Sequence, residues 1–220
     1  MAHEFYWISG SPNAWRAKLA MDFKGVEYVS RRLDSGKQEN KTPAFLALNP
    51  RGKVPVLKSG DVVIQESIAI MAFIEREHPT PPLFGTTAAE TGLIWQRIFE
   101  FVNYTRDSID GLARAIFSGQ AGSAPDAVRE AAKNTHGSLA WMESALAQTD
   151  YLAGDAVSAA DIAVLPNLEL LARIGKREEA TTLALGFDDL DGTFPAIAAW
   201  LTRLRGIPGY DAAYPPHWRT

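Results

Sequence analysis

Two kinds of hydrophobic spacing divide the chain near residue 78. In the first part, short runs of β-branched and aromatic residues alternate with segments whose apolar residues recur at helical intervals. Four segments are predicted as strands: residues 3–9, 26–33, 54–57 and 62–64. Helices are predicted at residues 14–24 and from Glu66 onward, with at most a short helix at 43–48. This order, βα, βα, ββα, predicts a mixed sheet with helices on its faces.

A proline-rich stretch ends this first part. Pro79, Pro81 and Pro82 lie close together and predict a stiff linker. Beyond them the spacing is helical throughout, beginning with one long helix from about Ala88. Its apolar stripe consists of Ile94, Ile98, Val102, Ile109, Leu112 and Ile116. Further helices are predicted at residues 125–148, 159–173 and 194–204. We therefore predict an α/β domain at residues 1–79, a linker at 80–87 and an all-helical domain at 88–220.

The composition narrows the classes of function. The absence of cysteine excludes disulfides, thiolate metal sites and a cysteine nucleophile. A formal net charge of −4 gives no reason to expect nucleic acid or an anionic membrane as a partner. The chain shows neither an apolar run of roughly 20 residues nor a signal-peptide pattern, so a cytoplasmic location is expected. No metal site is predicted, because the histidines have no ligand spacing: His3, His78, His136 and His217.

The stretch from residue 49 to residue 78 holds the candidate ligand site. Gly60-Asp61 is a predicted two-residue hairpin turn between two strands. Pro55 stands at the head of the first strand, and a cis Val54–Pro55 bond would turn backbone groups of Val54 outward. After the second strand a helix begins at Glu66-Ser67, and its N–H groups and dipole suit a carboxylate. The Ser67 hydroxyl can add a hydrogen bond and Glu66 can hold an ammonium. These features suit a small extended peptide with a zwitterionic end.

Two motifs in this stretch carry a family resemblance. The sequences Asn-Pro-x-Gly-Lys-Val-Pro-Val-Leu from Asn49 and Gln-Glu-Ser-x-Ala-Ile from Gln65 resemble the glutathione-binding core of the cytosolic glutathione transferases. Ser158 and Asp161 form a Ser-x-x-Asp capping-box variant, similar to a buried helix start in that superfamily, and we interpret it as structural. The resemblance implies a thioredoxin-like βαβαββα domain followed by an all-helical domain, in a homodimer. It also implies glutathione as co-substrate without a prosthetic group, and a hydrophobic electrophilic small molecule as second substrate.

A glutathione transferase must stabilise a thiolate, and here the thiol has to come from the ligand. A hydroxyl donor and a helix N-terminus near the sulfur lower a thiol pKa. Ser11 is the first candidate, because Ser-Pro-x-x-x-Arg from Ser11 resembles the active-site segment of the serine-type classes. The alternative is that Ser11 only caps the helix that Pro12 begins. Ser9 and Tyr6 are rival donors, and Arg16 is interpreted as structural.

The resemblance also implies the glutathione contacts. Glu66 and Ser67 match the contacts to the γ-glutamyl group, and Val54, beside Pro55, matches the backbone contact to the cysteinyl unit. Lys41 and Lys53 match the contacts to the glycyl carboxylate, although both could equally be solvated surface lysines.

The second-substrate pocket is expected to include Gly10, Tyr104, Ser108 and Phe117, each of which could instead be plain core. Two alternative functions remain open. One is a binding or scaffold protein that keeps the fold without useful catalysis. The other is a glutathione-dependent isomerase of the maleylacetoacetate type. Asn13 weighs against the isomerase, because it stands where the zeta-type pattern has a cysteine.

Overall fold

The computed structural model describes residues 3–219. Its strands are β1 His3–Trp7, β2 Tyr28–Arg32, β3 Val56–Ser59 and β4 Val62–Gln65. Its α-helices are α1 Pro12–Phe23, α2 Pro43–Leu48, α3 Ser67–Glu77, α4 Ala88–Glu100, α5 Arg106–Phe117, α6 Pro125–Leu146, α7 Ala159–Gly175, α8 Glu178–Thr182, α9 Leu190–Thr193, α10 Pro195–Arg205 and α11 Tyr210–Ala213. Among the described residues, none of the helices has the length and apolar character needed to cross a membrane.

The four strands form one mixed sheet in the order β2-β1-β3-β4. β1 runs parallel to β2 and antiparallel to β3, and β3 runs antiparallel to β4 around the predicted Gly60-Asp61 turn. In this register Tyr6 pairs with Val56, and Val56 pairs with Gln65. The end of β1, the start of β3 and the end of β4 therefore lie at one edge of the sheet. The predicted fold class, an α/β domain followed by helices, is confirmed.

The core of the α/β part lies between the sheet and two helices. Phe5 of β1 pairs directly with Leu57 of β3, and both side chains are fully buried. Ala17 and Met21 of α1 join the same cluster, as do Ile70 and Ile74 of α3. The side chains on either side of Phe5 along β1, Glu4 and Tyr6, point to the opposite face, as strand alternation requires. α1 and α3 are thus fixed on one face of the sheet, with their N-termini available for function.

The first helix beyond the linker departs from the single long helix that was predicted. A π-helical segment, Phe101–Thr105, separates α4 from α5. A π-helix bonds residues five apart, so it rotates the following residues relative to an α-helix. Phe101, the first residue of this segment, is buried, at 4% exposure, whereas the stripe residue Val102 is only half-buried. Local hydrophobic spacing did not reveal this wider turn.

The chain divides into two compact units. The sheet unit consists of Met1–Leu83 with Ile207–Thr220, and the helical unit is Phe84–Gly206. The division falls inside the predicted linker, but the last segment differs from the prediction, which placed it in the helical domain. The reason is aromatic packing: the Trp15 ring lies with its centroid 5.2 Å from that of Tyr214 and 5.7 Å from that of Trp218. Lys18 adds a hydrogen bond from Nζ to the Ala212 carbonyl at 2.9 Å.

The predicted capping box begins the most buried helix of the helical unit. Ser158 and Asp161 bond each other's backbone N–H as the motif requires. Asp161 is fully buried and also accepts hydrogen bonds from the Leu152 N–H and the Trp200 indole N–H. Burial raises the pKa of the Asp161 carboxyl, and these donors oppose the increase. The motif acts in folding, as its interpretation from sequence proposed.

Candidate active site

Ser11 stands at the sheet edge where β1 ends. The chain turns through Gly10, whose φ of +85° lies in the left-handed region that favours glycine. Ser11 then caps α1, and its Oγ accepts a hydrogen bond from the Ala14 N–H at 3.3 Å. A hydroxyl has one donor hydrogen and two acceptor positions, so this cap does not use the hydroxyl proton. Ser11 can therefore cap the helix and donate to a ligand at the same time.

The two rival hydroxyls have different surroundings. Ser9 Oγ lies 3.3 Å from Nδ1 of His217, which the C-terminal segment places beside it. Tyr6 donates its hydroxyl to Glu4 at 3.3 Å, further back along β1. Burial, followed by the negative charge of Glu4, raises the pKa of the Tyr6 hydroxyl. Tyr6 is thus a weakened proton donor whose hydroxyl is directed at Glu4.

Val54 and Pro55 lie at the same edge, at the start of β3. The Val54–Pro55 peptide bond is cis. The pairing of β3 with its neighbours begins at Val56, two residues after Val54. Val54 is half-buried and Pro55 is buried. The backbone of Val54 therefore lies just outside the paired ladder, as the proposed contact to an extended peptide requires.

The start of α3 is the third part of the chain that lies at this edge of the sheet. Glu66 has a φ of +68°, an uncommon backbone conformation for a residue with a side chain. Ser67 follows as the first helical residue, and the first intrahelical bond shown runs from the Ile70 N–H to the Glu66 carbonyl. The preceding N–H groups at a helix start have no intrahelical acceptor. Together with the helix dipole they form a site suited to a carboxylate.

Arg16 connects α1 to α3 beneath this edge. Its side chain is fully buried, and Nη1 donates to Asn13 Oδ1 at 2.8 Å and to Ser67 Oγ at 3.1 Å. Because a guanidinium is always protonated in proteins, this buried cation adds positive potential below the start of both helices. The interpretation from sequence assigns Arg16 a structural role. Its contact with Ser67 depends on helix packing and has no local signal.

Lys41 and Lys53 lie around one short loop. Asn49 is buried and donates from Nδ2 to the Lys53 carbonyl at 2.7 Å, which holds the loop in shape. The Lys41 ammonium donates to the Gly52 carbonyl at 3.3 Å. Gly52 has a φ of +61°, and a Cβ there would lie 2.7 Å from Lys41 Nζ and 2.9 Å from the Asn40 carbonyl oxygen. Both lysine side chains are exposed, so they can provide positive charge at the surface of this loop.

The residues predicted for the second substrate lie in both units. In the sheet unit, a Cβ on Gly10 would lie 2.9 Å from His217 Nε2 and 3.3 Å from Trp218 Nε1. The C-terminal segment therefore packs closely against this turn. In the helical unit, Tyr104 and Ser108 line a cavity of about 860 Å³. Phe117 is not among the residues that line it; its ring lies 4.9 Å from the Arg173 guanidinium.

Comparison with known proteins identifies the family. The model of the glutathione S-transferase N-terminal domain matches residues 10–77, and the model of the C-terminal domain matches residues 125–203. The chain belongs to the glutathione S-transferase family. The matched ranges contain Ser11, Pro55 and Ser67, the residues of the sheet edge described above. The predictions of family and enzyme class are confirmed.

Relatives of this glutathione S-transferase extend over most of the chain. Glutathione S-transferase A of Pleuronectes platessa is 29% identical over 96% of this chain and 91% of the relative. Glutathione S-transferase F10 of Arabidopsis thaliana is 35% identical over 73% of this chain and 78% of the relative. Elongation factor 1-gamma 1 of Oryza sativa subsp. japonica is 30% identical over 79% of this chain, but over 42% of the relative. The crystal structure of a glutathione S-transferase from the Antarctic clam Laternula elliptica superposes with a TM-score of 0.84 at 27% identity, covering 100% of this chain and 94% of that one.

Proposed function

We propose that this glutathione S-transferase holds glutathione at the sheet edge and uses Ser11 to stabilise its thiolate. The observation that carries the proposal is the Ser11 hydroxyl, whose proton is not used by the helix cap, at the edge that also holds Pro55 and the start of α3. The thiol proton passes to solvent, and the thiolate attacks an electrophilic carbon. A C–S bond forms as the leaving group departs with the bonding electrons. A peroxide is the alternative electrophile.

Each part of glutathione has a proposed partner. The γ-glutamyl carboxylate is bound by the N–H groups at the start of α3 and by the Ser67 hydroxyl, while Glu66 binds its ammonium group. The backbone of Val54 pairs with the cysteinyl unit, in the manner of an added strand. Lys41 and Lys53 provide charge for the glycyl carboxylate. In this proposed mode of binding, the cysteinyl sulfur faces Ser11, between the two helix starts.

The contacts proposed for the thiolate supply enough free energy to lower the thiol pKa. A free thiol has a pKa of about 8.5, and lowering it by two units requires roughly 2.7 kcal/mol. A hydrogen bond to a charged group contributes about 1.5–3 kcal/mol, and a helix N-terminus adds about 0.3–1 kcal/mol. One hydroxyl at the start of α1 is therefore enough, and no further acid or base is required to form the thiolate.

The test is an ultraviolet difference titration of bound glutathione between about pH 5 and 9, which follows thiolate absorbance near about 240 nm. We expect a thiol pKa well below that of free glutathione, returning toward the free value in Ser11→Ala. Ser9→Ala is the matched control and should keep the lowered pKa. An unchanged pKa in Ser11→Ala would refute the role of Ser11.

A second candidate is a glutathione-binding protein without useful catalysis. The similarity to elongation factor 1-gamma supports this second candidate, because that relative is not named as a transferase. The same titration separates the two functions. Binding of glutathione without a lowered thiol pKa would support the non-catalytic protein, and a lowered pKa supports the enzyme. A glutathione-dependent isomerase remains a narrower alternative, and turnover of an isomerisable substrate would distinguish it.

A further inference from the structure

A second cluster of side chains lies at the opposite end of β1 from Ser11. His3 begins β1, whereas Ser11 follows its end, and five extended residues separate the two places by roughly 13 Å. Glu77 ends α3 and His78 follows it. These residues line a cavity of about 510 Å³ in the sheet unit together with Gly25, Val26 and Glu27. The cluster is thus separate from the proposed glutathione site.

The three side chains have the chemistry of metal ligands. One potential ligand atom from each of His3, Glu77 and His78 lies within 4.8 Å of the other two. His3 Nε2 is 3.4 Å from Glu77 Oε2, and the His3 and His78 rings lie 6.1 Å apart by their centroids. Two imidazoles and one carboxylate are a ligand set found in zinc sites, in which a fourth position is open or filled by another group. Glu27 lines the same cavity, but its carboxylate does not belong to this group of close ligand atoms.

The ligand atoms can reach one zinc ion after a change of rotamer. Zinc binds nitrogen and carboxylate oxygen at roughly 2.0–2.2 Å in a tetrahedral arrangement, so two ligand atoms on one ion lie about 3.3–3.6 Å apart. The present limit of 4.8 Å leaves up to about 1.5 Å to close. Glu77 and His78 are exposed residues at a helix end, where side chains can change rotamer, while His3 is held by the sheet.

The burial of His3 leaves one of its ring nitrogens available as a metal ligand. His3 is 5% exposed, and its Nδ1 is buried without a hydrogen-bond partner in the part of the chain that the structure describes. The nearby ammonium of Lys24 is neutralised by Glu75, which lies 2.7 Å away.

We propose that His3, Glu77 and His78 form a binding site for a zinc ion that joins the start of β1 to the end of α3. The site is structural, since it lies away from the glutathione edge and its ligands come from two elements of the same core. The sequence predicted no metal, because His3 and His78 are far apart in the chain. The packing of α3 against the mixed sheet brings them together.

The experiment is calorimetric titration of the untagged, chelator-treated full chain with zinc chloride in the absence of glutathione. We expect saturable binding of one zinc ion per chain. His78→Ala and Glu77→Gln should each weaken the zinc Kd by about tenfold or more. His217→Ala removes an exposed imidazole elsewhere in the sheet unit and should leave the zinc Kd unchanged.

Thermal unfolding provides a second measurement on the same variants. Zinc should raise the unfolding temperature of the wild-type chain and of His217→Ala, because a ligand that binds only the folded state stabilises it. It should have little effect on His78→Ala. Failure to bind one zinc ion per chain would overturn the proposal. Equal zinc Kd values in wild type, His78→Ala and Glu77→Gln would also overturn it.

Discussion

Replacing Asp161 by alanine tests the account of the helical unit most directly. The carboxylate is fully buried at the start of α7 and is surrounded by hydrogen-bond donors. It accepts from the Leu152 N–H at 2.9 Å, from the Ser158 N–H at 2.9 Å and hydroxyl at 2.8 Å, and from the Trp200 indole N–H at 2.8 Å. Asp161→Ala removes the acceptor for all of them and leaves no atom in its place.

The expected magnitude follows from these donors. The Ser158 hydroxyl can rotate toward another acceptor, but the two backbone N–H groups and the indole N–H are fixed in direction. Each buried donor without an acceptor costs about 1–3 kcal/mol. Burying the Asp161 carboxyl is itself unfavourable, and this burial raises its pKa. Because the alanine variant avoids that cost, part of the loss from the unpaired donors is offset. We therefore expect Asp161→Ala to lower the free energy of unfolding by about 3–5 kcal/mol.

Asp161→Asn is the matched variant, because it keeps the volume of the side chain. Its amide oxygen can still accept from Leu152 and Trp200, while its NH2 group faces the Ser158 N–H and cannot accept. One fixed donor loses its acceptor instead of three, so the free energy of unfolding should decrease by about 1–2 kcal/mol. Asp155→Ala removes an exposed carboxylate from the same loop and should change stability by less than about 0.5 kcal/mol.

The assay is urea unfolding monitored by tryptophan fluorescence. The urea concentrations at the unfolding midpoint are compared between variants that have the same m-value. The order of stability should be Asp155→Ala, Asp161→Asn and then Asp161→Ala. If Asp161→Ala were as stable as Asp155→Ala, the donors would not depend on this carboxylate and the reasoning would be refuted. If Asp161→Asn were as unstable as Asp161→Ala, the negative charge rather than the number of acceptors would determine stability.

Two further predictions concern glutathione binding and assembly. Ser67→Ala removes both a proposed ligand contact and the hydroxyl that accepts from Arg16, so the glutathione Kd should rise by about tenfold, or roughly 1.4 kcal/mol. Calorimetry would measure it, Ser67→Thr should retain most of the affinity, and an unchanged Kd in Ser67→Ala would contradict the assigned contact. We also expect a homodimer, as in the family; light scattering should give twice the mass of one chain, and the mass of a single chain would exclude it.

Much of the candidate site could be predicted because its signals are local. Ser11 before Pro12 marks a helix cap, and Glu66-Ser67 marks the next helix start, since caps depend on neighbouring N–H groups. Pro55 at a strand head indicated a special backbone there. What could not be predicted was which of the three hydroxyls has no side-chain partner among the described residues. That depends on the contacts of Ser9 with His217 and of Tyr6 with Glu4.

The sequence by itself determined the order of strands and helices, the Gly60-Asp61 turn and the capping box at Ser158, because periodicity and hydrogen bonds between near neighbours specify them. Tertiary structure alone decided the return of residues 207–220 to the sheet unit and the contact of Arg16 with Ser67. It also decided the meeting of His3 with residues 77–78. These features join residues far apart in the chain, and they form only when the packing of apolar faces fixes where each element lies.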